Sequence, residues 1–424
     1  MFEQTHKAGP RGIPATSLDT AFCRRHFPAL DGEWVFMENA GGTLVPDQVI
    51  NRLDQFTSCH QVQPGEGYEA SAIGAERIAE GRANLAQLIN ADVGEIVIGP
   101  STTSNVYVLS HALRPLLQPG DEIVVTNQDH EANNGAWRNL ASTGIVIREW
   151  RMNAETDDLE IEDLCALLSE RTKLVCFTHC SNIVGRVHDV KEIARLVHER
   201  GGLICVDGVA LVPHRRVDVK ELDVDFYLYS PYKVFGPHMG VLYGKRELLE
   251  LLANQSHFFL GDDDFQRRLC PGGYNYELTA AAAGMGDYFD CVYDHHFPGA
   301  NGDTQERLDR VFGLFAEHEK ALSRRIEEFL NSKSSIRLAG HGATERERVG
   351  VFSFLVDAGD SRVIPEKLRA NKIGIFADDF YAARCIDALG ARPQNGVIRA
   401  SLVHYNSSED VDRFIRHLDD IVPK

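Results

Sequence analysis

Leu203-Ile-Cys-Val-Asp207 and Asp225-Phe-Tyr-Leu-Tyr229 are two short apolar runs, separated by about the length of one crossover connection. The first run ends in an acid, Asp207, and the second leads directly into Ser230-Pro-Tyr-Lys233. Short runs that are rich in branched and aromatic residues are typical of buried strands. The pattern predicts two strands, with Asp207 and Lys233 following at their carboxyl ends.

Similar apolar runs recur along the first part of the chain and alternate with amphipathic segments. They lie at 95–98, 123–126, 145–148, 174–177, 203–207 and 225–229. The segments between them, such as Val106 to Leu117 and Ile193 to His198, are followed by glycine or proline residues that end helices. The alternation predicts an α/β fold in which a mostly parallel sheet is flanked by helices.

The remainder of the chain has a different pattern, which begins after a polar stretch at 295–305. A long helix is predicted near 305–331, strands near 349–357 and 397–402, and a final helix from Glu409 to Val422. This is an α+β pattern. We therefore expect an N-terminal arm at 1–30 that joins the small domain, a large domain at 31–297 and a small C-terminal domain at 298–424.

A lysine and a carboxylate at the ends of two strands suit the chemistry of pyridoxal phosphate. The amine of Lys233 can hold the cofactor aldehyde as a Schiff base, and the carboxylate of Asp207 can keep the pyridine ring protonated and able to accept electrons. Each residue has an ordinary alternative, because a lysine after a strand is commonly solvated and an aspartate there commonly caps a helix. The two together predict a pyridoxal phosphate site.

Polar segments follow three other predicted strands. Gly99-Pro-Ser-Thr102-Thr103 precedes a helix, so it forms either a cradle for an anion or an ordinary helix cap. Asp129-His130 places an imidazole where it can stack on a flat cofactor, and Thr178-His-Cys-Ser-Asn182 adds another polar cluster. Ligands of open α/β sheets bind outside the carboxyl ends of the strands. These segments are therefore expected to line one cleft.

Two further segments come from opposite ends of the chain. Val397-Ile-Arg399-Ala-Ser401 places a guanidinium inside an apolar strand, where its charge requires a carboxylate partner. That partner is either a substrate or a structural Asp or Glu. Glu38-Asn39-Ala40-Gly41-Gly42 follows the apolar run 34–37, and its small residues let backbone approach a ligand closely.

The order of these motifs resembles the class V aminotransferase and cysteine desulfurase family of fold-type I pyridoxal phosphate enzymes, over most of the chain. The resemblance implies a large cofactor-binding domain and a smaller α+β domain. It also implies that Lys233 holds the cofactor, that Asp207 faces the pyridine nitrogen and that His130 covers the ring. The residues implied for the cofactor phosphate are Thr102, Thr103 and Ser230, and Tyr232, which departs from the family, keeps a hydroxyl able to reach the phosphate. Those implied for the substrate are Asn39, Ala40, Gly41, Asn182 and Arg399, and Asn182 also borders the cofactor.

The sequence departs from the family in three places. Ala210 stands where desulfurases carry a glutamine, and Tyr232 stands where a histidine precedes the lysine. The loop between Gly374 and Arg399 should carry a cysteine thiolate that takes sulfur from the substrate, but its single thiol, Cys385, falls in a predicted helix. Cys180, near the inferred substrate site, is a second candidate with an equally ordinary alternative as an apolar filler.

The family resemblance predicts a cysteine desulfurase-like lyase that removes the Cα proton of a small L-amino acid and cleaves a bond between Cβ and sulfur or another heteroatom. Elimination to pyruvate and ammonia, transamination and epimerisation begin with the same proton removal and stay open. A protein that binds the cofactor without catalysis is the alternative of a different class, because Ala210 and the missing loop thiol are losses from the family's site.

Composition limits the partners and the compartment. The 62 acidic and 44 basic residues give a formal net charge of −18, which argues against nucleic acid or an anionic membrane as the main partner. No signal-type or membrane-spanning apolar stretch occurs, and nine irregularly spaced cysteines favour reduced thiols, so we expect a cytoplasmic protein. No metal site is expected. The family implies a homodimer and leaves room for a sulfur acceptor protein.

Overall fold

The computed structural model describes residues 17–261, 264–341, 347–357 and 359–423. Its strands are β1 Val35–Phe36, β2 Ile96–Gly99, β3 Glu122–Thr126, β4 Val146–Trp150, β5 Thr172–Thr178, β6 Leu203–Asp207, β7 Phe226–Tyr229, β8 Gly240–Gly244, β9 Ile336–Leu338, β10 Val351–Val356, β11 Ile373–Gly374, β12 Phe376–Asp378 and β13 Val397–Ser401. Its α-helices are α1 Thr20–Arg24, α2 Asp47–Cys59, α3 Glu69–Gln87, α4 Thr102–Leu113, α5 Gly135–Asn139, α6 Ile161–Leu167, α7 Val190–His198, α8 Arg246–Leu251, α9 Phe265–Arg268, α10 Tyr276–Ala281, α11 Ala283–His296, α12 Thr304–Asn331, α13 Val363–Arg369, α14 Ala383–Ala388 and α15 Ser408–Asp419.

The large sheet has the strand order β2-β8-β7-β6-β5-β3-β4. Strands β4, β3, β5, β6 and β7 pair in parallel, whereas β8 is antiparallel to both of its neighbours, β7 and β2. The prediction of a mostly parallel α/β sheet flanked by helices is confirmed. Strand β8 was not predicted, because its short run Gly240-Val-Leu-Tyr-Gly244 is bounded by two glycines, which are poor strand formers.

The inner strands are apolar on both faces because both faces are covered. Side chains of β3, β5 and β6 alternate between two hydrophobic cores: Val124, Val175 and Ile204 point into one, while Ile123 and Cys176 point into the other. Two-sided burial is what a parallel sheet between helical layers requires. Polar residues therefore occur where the strands end.

The small domain is built on an antiparallel sheet with the order β12-β13-β10-β9. Helices α12 and α15 pack on it and share a hydrophobic core with its strands, which confirms the predicted α+β character. Strand β1 joins this domain, since Val35 pairs with Ile373 of β11, and Val35 and Met37 lie in its core. The turn that follows β1 is thereby held against the small domain.

None of the helices in the described ranges is both long enough and apolar enough to cross a membrane.

Candidate active site

A cavity of about 70 Å³ opens at the edge of the large sheet where its parallel strands end. Its walls come from the segments that follow β2, β3, β5, β6 and β7, as the strand-end rule predicts. The lining residues are Ser101, Thr102, Thr103, His130, Ala132, Thr178, Cys180, Asn182, Asp207, Val209, Ala210, Ser230, Tyr232, Lys233 and His238.

Lys233 and Asp207 both face this cavity and are nearly inaccessible to solvent elsewhere. Asp207 ends β6 and accepts a hydrogen bond of 2.9 Å from the backbone N–H of Val209. Burial raises the pKa of Asp207 to about 6. Burial, together with the nearby charge of Arg399, lowers the pKa of Lys233 to about 8. The lysine can therefore become a neutral amine, and hence a nucleophile or base, close to neutral pH.

The hydroxyl-rich segment before α4 closes one end of the cavity. Ser101 caps the helix by accepting from the N–H of Ser104 at 3.1 Å, so the ordinary cap does exist here. This cap does not use the side chains of Thr102 and Thr103. The hydroxyls of Thr102 and Ser230 lie 2.7 Å apart. A Cβ atom at Gly240 would lie 2.3 Å from the backbone nitrogen of Thr102. The absence of a side chain on β8 is thus what lets this segment sit in place.

His130 lies at the mouth of the cavity with its Nδ1 accepting a hydrogen bond of 3.1 Å from the N–H of Ala132. Burial is the main cause that lowers the pKa of His130 to about 3, with Lys233 and Arg399 adding to it. The imidazole is therefore neutral at physiological pH. Its ring centroid lies 5.5 Å from that of Tyr381. A neutral, fixed ring suits stacking on a flat cofactor.

Arg399, on strand β13 of the small domain, lies next to Asn182, which lines the cavity. One of its terminal nitrogens donates to the backbone carbonyl of Asn182 at 3.2 Å. The other donates to Glu38 at 2.7 Å. The ring of Phe380 covers the face of the guanidinium at 3.7 Å. The carboxylate partner that the sequence required is therefore present within the chain as Glu38, whose role was not predicted.

The small-residue turn lies beside the cavity without lining it. The side-chain amide of Asn39 donates to the carbonyls of Phe36 and Ser401, and the N–H of Ala40 donates to the Ser401 hydroxyl at 2.8 Å. A Cβ atom at Gly41 would lie 2.4 Å from the carboxylate of Glu38. The hydrogen bonds of Asn39 and Ala40 thus attach the turn to β13. The absence of a side chain at Gly41 leaves room for the carboxylate of Glu38.

At the position before Lys233, where the family carries a histidine, this chain has Tyr232, and its ring stacks on that of His238. Tyr232 lines the cavity, as does His238, which was not predicted as a site residue although it directly follows the Lys233–Pro237 segment. Recognition of β8 in the sequence would have identified His238, because a strand that begins at Gly240 brings the residues just before it back to the site. Ala210 also lines the cavity and has no polar side chain to offer.

The two candidate thiols are both buried. Cys385 lies in α14 with its sulfur 3.9 Å from that of Met152, which confirms the helical position. Cys180 lines the cavity but its exposed fraction is 0%. Burial raises the pKa of both thiols well above the ordinary value. Each therefore stays protonated near neutral pH, whereas a sulfur-accepting nucleophile must be a thiolate.

The residues around the cavity fit pyridoxal phosphate. Hydroxyl groups, a buried carboxyl at the end of β6, a lysine amine and a neutral imidazole line the same cavity. Burial disfavours the ionised form of Asp207 in spite of the nearby charge of Lys233, and a protonated ring nitrogen would supply a further positive charge. The donor set is thus the one that this cofactor's phosphate, aldehyde and ring nitrogen require.

Comparison with known proteins agrees with this arrangement. The family model described as Aminotransferase class-V matches residues 35–267 and 312–414. The aminotransferase-like protein FGM3 of Gibberella zeae is 37% identical over 416 residues, which cover 96% of this chain and 99% of that protein. The cysteine desulfurase-like protein ustD of Aspergillus flavus is 35% identical over 420 residues, covering 96% and 91% respectively.

Solved structures of cysteine desulfurases share the fold. The enzyme from Thermococcus onnurineus superposes with a TM-score of 0.84 at 23% identity, covering 97% of this chain and 99% of that one. CsdA from Escherichia coli gives a TM-score of 0.81 at 24% identity, covering 96% and 100%. The chain therefore belongs to the class-V aminotransferase family of fold-type I proteins and is a pyridoxal phosphate-dependent enzyme.

Proposed function

We propose that this enzyme is a lyase that acts on a small L-amino acid and cleaves a bond between Cβ and sulfur or another heteroatom. The observation that carries the proposal is that Lys233 and Asp207 line one cavity, with the charge of Arg399 close enough to lower the pKa of Lys233. A lysine whose pKa is lowered to about 8 can act as a base near neutral pH. Arg399 supplies a charge that can orient an amino acid by its carboxylate.

The roles at the cofactor follow from the positions of the side chains. The bound cofactor supplies an acceptor for the electron pair that is left on Cα when its proton is removed. Lys233 is proposed to hold the cofactor, Asp207 to keep a proton at its ring nitrogen, and His130 to pack on its face. The proposed phosphate ligands are the hydroxyls of Thr102, Thr103, Ser230 and Tyr232.

The roles at the substrate involve Arg399, Asn182 and Lys233. Arg399 and Asn182 are proposed to hold the carboxylate, which places Cα over the end of β7 where Lys233 lies. Once the substrate amine has replaced it, the Nζ of Lys233 is free to remove the Cα proton. A substituent on Cβ can then leave with its bonding electrons, and the proton on Lys233 is available for return to the substrate or the leaving group.

The state of the thiols bears on where the leaving group goes. Cys180 and Cys385 are buried and their raised pKa values keep them protonated. These observations support release of the leaving group from the site rather than its capture as a persulfide on the enzyme. If sulfur leaves with the bonding electrons, it is released as sulfide. Transfer to a separate thiol or a sulfur acceptor protein would instead require that thiolate to attack the substrate sulfur while the bonding electrons stay on Cβ.

Transamination is the second candidate. It is favoured by the aminotransferase-like description of the 37% identical relative from Gibberella zeae and by the protonated state of the cavity thiol. It uses the same carboxylate site and the same proton removal at Cα. The difference is that the proton held by Lys233 would not return to Cα, the amino group would be retained in the site, and the substrate would leave as an oxo acid, so that a second oxo acid would be needed to take up the amino group.

The products distinguish these reactions. Purified enzyme is supplied with cysteine, cysteine sulfinate and O-substituted serines, and the products are identified. Pyruvate with ammonia supports elimination, alanine with sulfane sulfur or sulfite supports desulfuration, and an oxo acid that requires a second oxo acid for turnover supports transamination. Inversion at Cα without other change supports an epimerase. If the cofactor's absorption responds to none of these amino acids, the protein binds its cofactor without catalysis and the proposal fails.

The Cys180→Ala variant tests the absence of an enzyme persulfide. Because the thiol is protonated and buried, the variant should turn over within about threefold of the wild-type rate, as expected for a buried position with no chemical role. Cys59→Ala, on the exposed part of α2, serves as the matched control. Loss of turnover in Cys180→Ala, with a persulfide recovered on Cys180 in the wild type, would contradict this part of the proposal.

We also propose a homodimer, on family analogy and on one surface feature. Phe258 and Phe259 are 95% and 70% exposed, and Phe259 stacks on His257 at 5.3 Å. Large apolar side chains exposed together are typical of interfaces. Changing both phenylalanines to aspartate should convert a dimer to a monomer in light-scattering measurements, while Val363→Asp on the small domain should not. An unchanged mass would place the interface elsewhere.

A further inference from the structure

We infer that Glu38 controls access to Arg399: its carboxylate occupies the guanidinium until the carboxylate of a substrate replaces it. Glu38 is thereby a specificity-determining residue that admits anionic substrates by exchange. The inference rests on the proposed role of Arg399 as the carboxylate site. It concerns the state of that site before the substrate binds.

The backbone places Glu38 beside Arg399. Beyond β1, Glu38 forms a parallel bridge with Ser401, and the carbonyl of Met37 accepts a hydrogen bond of 2.6 Å from the N–H of Ser401. Residues 399 and 401 are two apart on β13, so their side chains share one face of the strand. The segment that follows β1 therefore runs along this face, and the acid next to the turn reaches the guanidinium.

In this state each terminal nitrogen of Arg399 donates one hydrogen bond within the chain, so two of its five N–H donors are used. Glu38 takes one terminal nitrogen at 2.7 Å, the carbonyl of Asn182 takes the other at 3.2 Å, and Phe380 covers the ring face. Among the described residues, no group accepts from the buried Nε of Arg399. A second carboxylate could bind in the bidentate mode that guanidinium favours only if Glu38 withdrew, because two adjacent carboxylates repel each other.

The two partners differ in their freedom to move. The side chain of Arg399 is 2% exposed, whereas that of Glu38 is 36% exposed. The carboxylate of Glu38 rests against Gly41, which has no side chain to confine it. Glu38 can therefore turn into water while Arg399 remains in place. An incoming carboxylate that replaces it leaves the charge at the buried guanidinium neutralised, which avoids the cost of a buried unpaired charge.

The exchange has a measurable consequence for affinity. A site that is occupied by its own carboxylate for most of the time binds an external carboxylate more weakly, in proportion to the fraction of time that the site is free. Removing the charge of Glu38 should therefore tighten the binding of simple carboxylates. An expected gain is about tenfold, which corresponds to the site being free roughly one tenth of the time.

The test uses propionate, a carboxylate that lacks an amino group and so depends on the anion site alone. Its dissociation constant is measured by calorimetry on the cofactor-loaded protein, with wild type, Glu38→Gln and Glu131→Gln compared. Glu131 is the matched control because it is a 45% exposed acid near the cavity that pairs with Arg384. Glu38→Gln should bind propionate about tenfold more tightly, and Glu131→Gln should match wild type. Unchanged or weaker binding by Glu38→Gln would overturn the inference.

A variant of the arginine separates this inference from the proposed function. If Arg399→Lys leaves propionate binding unchanged, Arg399 is not the carboxylate site and the proposed function fails there. If Arg399→Lys weakens binding but Glu38→Gln does not tighten it, only the inference about Glu38 fails. Should Arg399→Lys not fold, a crystal of Glu38→Gln soaked with propionate gives the answer. Propionate on the guanidinium supports both proposals, and propionate elsewhere or absent contradicts the role of Arg399.

Discussion

Tyr232 and His238 stack face to face, with ring centroids 4.3 Å apart and planes 10° from parallel. A Cβ atom at Gly42 would lie 3.4 Å from the Tyr232 ring, which is an ordinary van der Waals distance, so the turn packs against this ring. The ring is therefore positioned by packing, and its hydroxyl also interacts with Ser230. Removing the hydroxyl alone should leave the ring in place and test what the oxygen contributes.

Tyr232→Phe should weaken cofactor binding without unfolding the protein. Loss of one hydrogen bond to the phosphate is worth about 1 kcal/mol, which is roughly a fivefold rise in the dissociation constant of pyridoxal phosphate. Titration of the cofactor-free protein measures this, and Tyr276→Phe on α10 is the control. An unchanged dissociation constant would show that the hydroxyl does not reach the phosphate.

The cofactor-free protein should show a pH-dependent stability that is due to Asp207. Burial raises the pKa of this carboxyl from 3.8 to about 6 in the folded chain. Because the folded state keeps the proton longer than the unfolded state, the contribution of Asp207 to stability is fully present below about pH 4 and is lost as the pH rises to about 6. At roughly 1.4 kcal/mol per pKa unit the loss is about 3 kcal/mol.

Urea unfolding of wild type and Asp207→Asn between pH 4 and pH 6 checks this expectation, because both proteins share every other titrating group. From pH 4 to pH 6, the free energy of unfolding of the wild type should fall relative to that of Asp207→Asn. A constant difference would mean that the carboxyl titrates normally. Bound cofactor should reduce the change, since a positive charge beside Asp207 lowers its pKa.

Gly240 of β8 should be intolerant of a side chain. In Gly240→Ala the new Cβ would meet the backbone of Ser101 and Thr102 at 2.3 Å, so the hydroxyl-rich segment must shift. We expect a loss of about 2 kcal/mol or more in stability, with weaker cofactor binding.

Gly313→Ala is the matched control for this substitution, since nothing lies within 4 Å of the added atom in the long helix α12. It should stabilise the protein by about 0.5 to 1 kcal/mol, because alanine is the better helix former. Thermal unfolding measures both variants. Equal effects of the two substitutions would contradict the tight approach of β8 to the phosphate end of the cavity.

The sequence was sufficient to predict what depends on local pattern. Buried parallel strands are apolar throughout, so Asp207 and Lys233 stand out as polar residues at strand ends, and the same holds for His130 and Asn182. The antiparallel β8 was missed because its pattern is short and glycine-bounded. His238 was missed with it, since only the return of that strand brings the residue to the cavity.

Contacts between distant segments were beyond the reach of local pattern. Glu38 and Arg399 are 361 positions apart, and their pairing follows from the parallel bridge between the segment after β1 and β13. The charge of Arg399 within an apolar strand indicated that an acid must pair with it. The sequence did not indicate that this acid is Glu38. Likewise, the hydrogen bonds that join Asn39 and Ala40 to Ser401 of β13 connect segments more than 360 positions apart, which a local pattern does not reveal.

The attachment of the cofactor to Lys233 is the claim on which the whole account rests, and borohydride reduction tests it most directly. The loaded protein is reduced and digested, and the peptides are analysed by mass spectrometry. We expect a visible absorption band that is lost on reduction, with the phosphopyridoxyl mass on the Nζ of Lys233 in wild type and on no residue in Lys233→Ala. A colourless loaded protein, or the label on another lysine, would contradict the account.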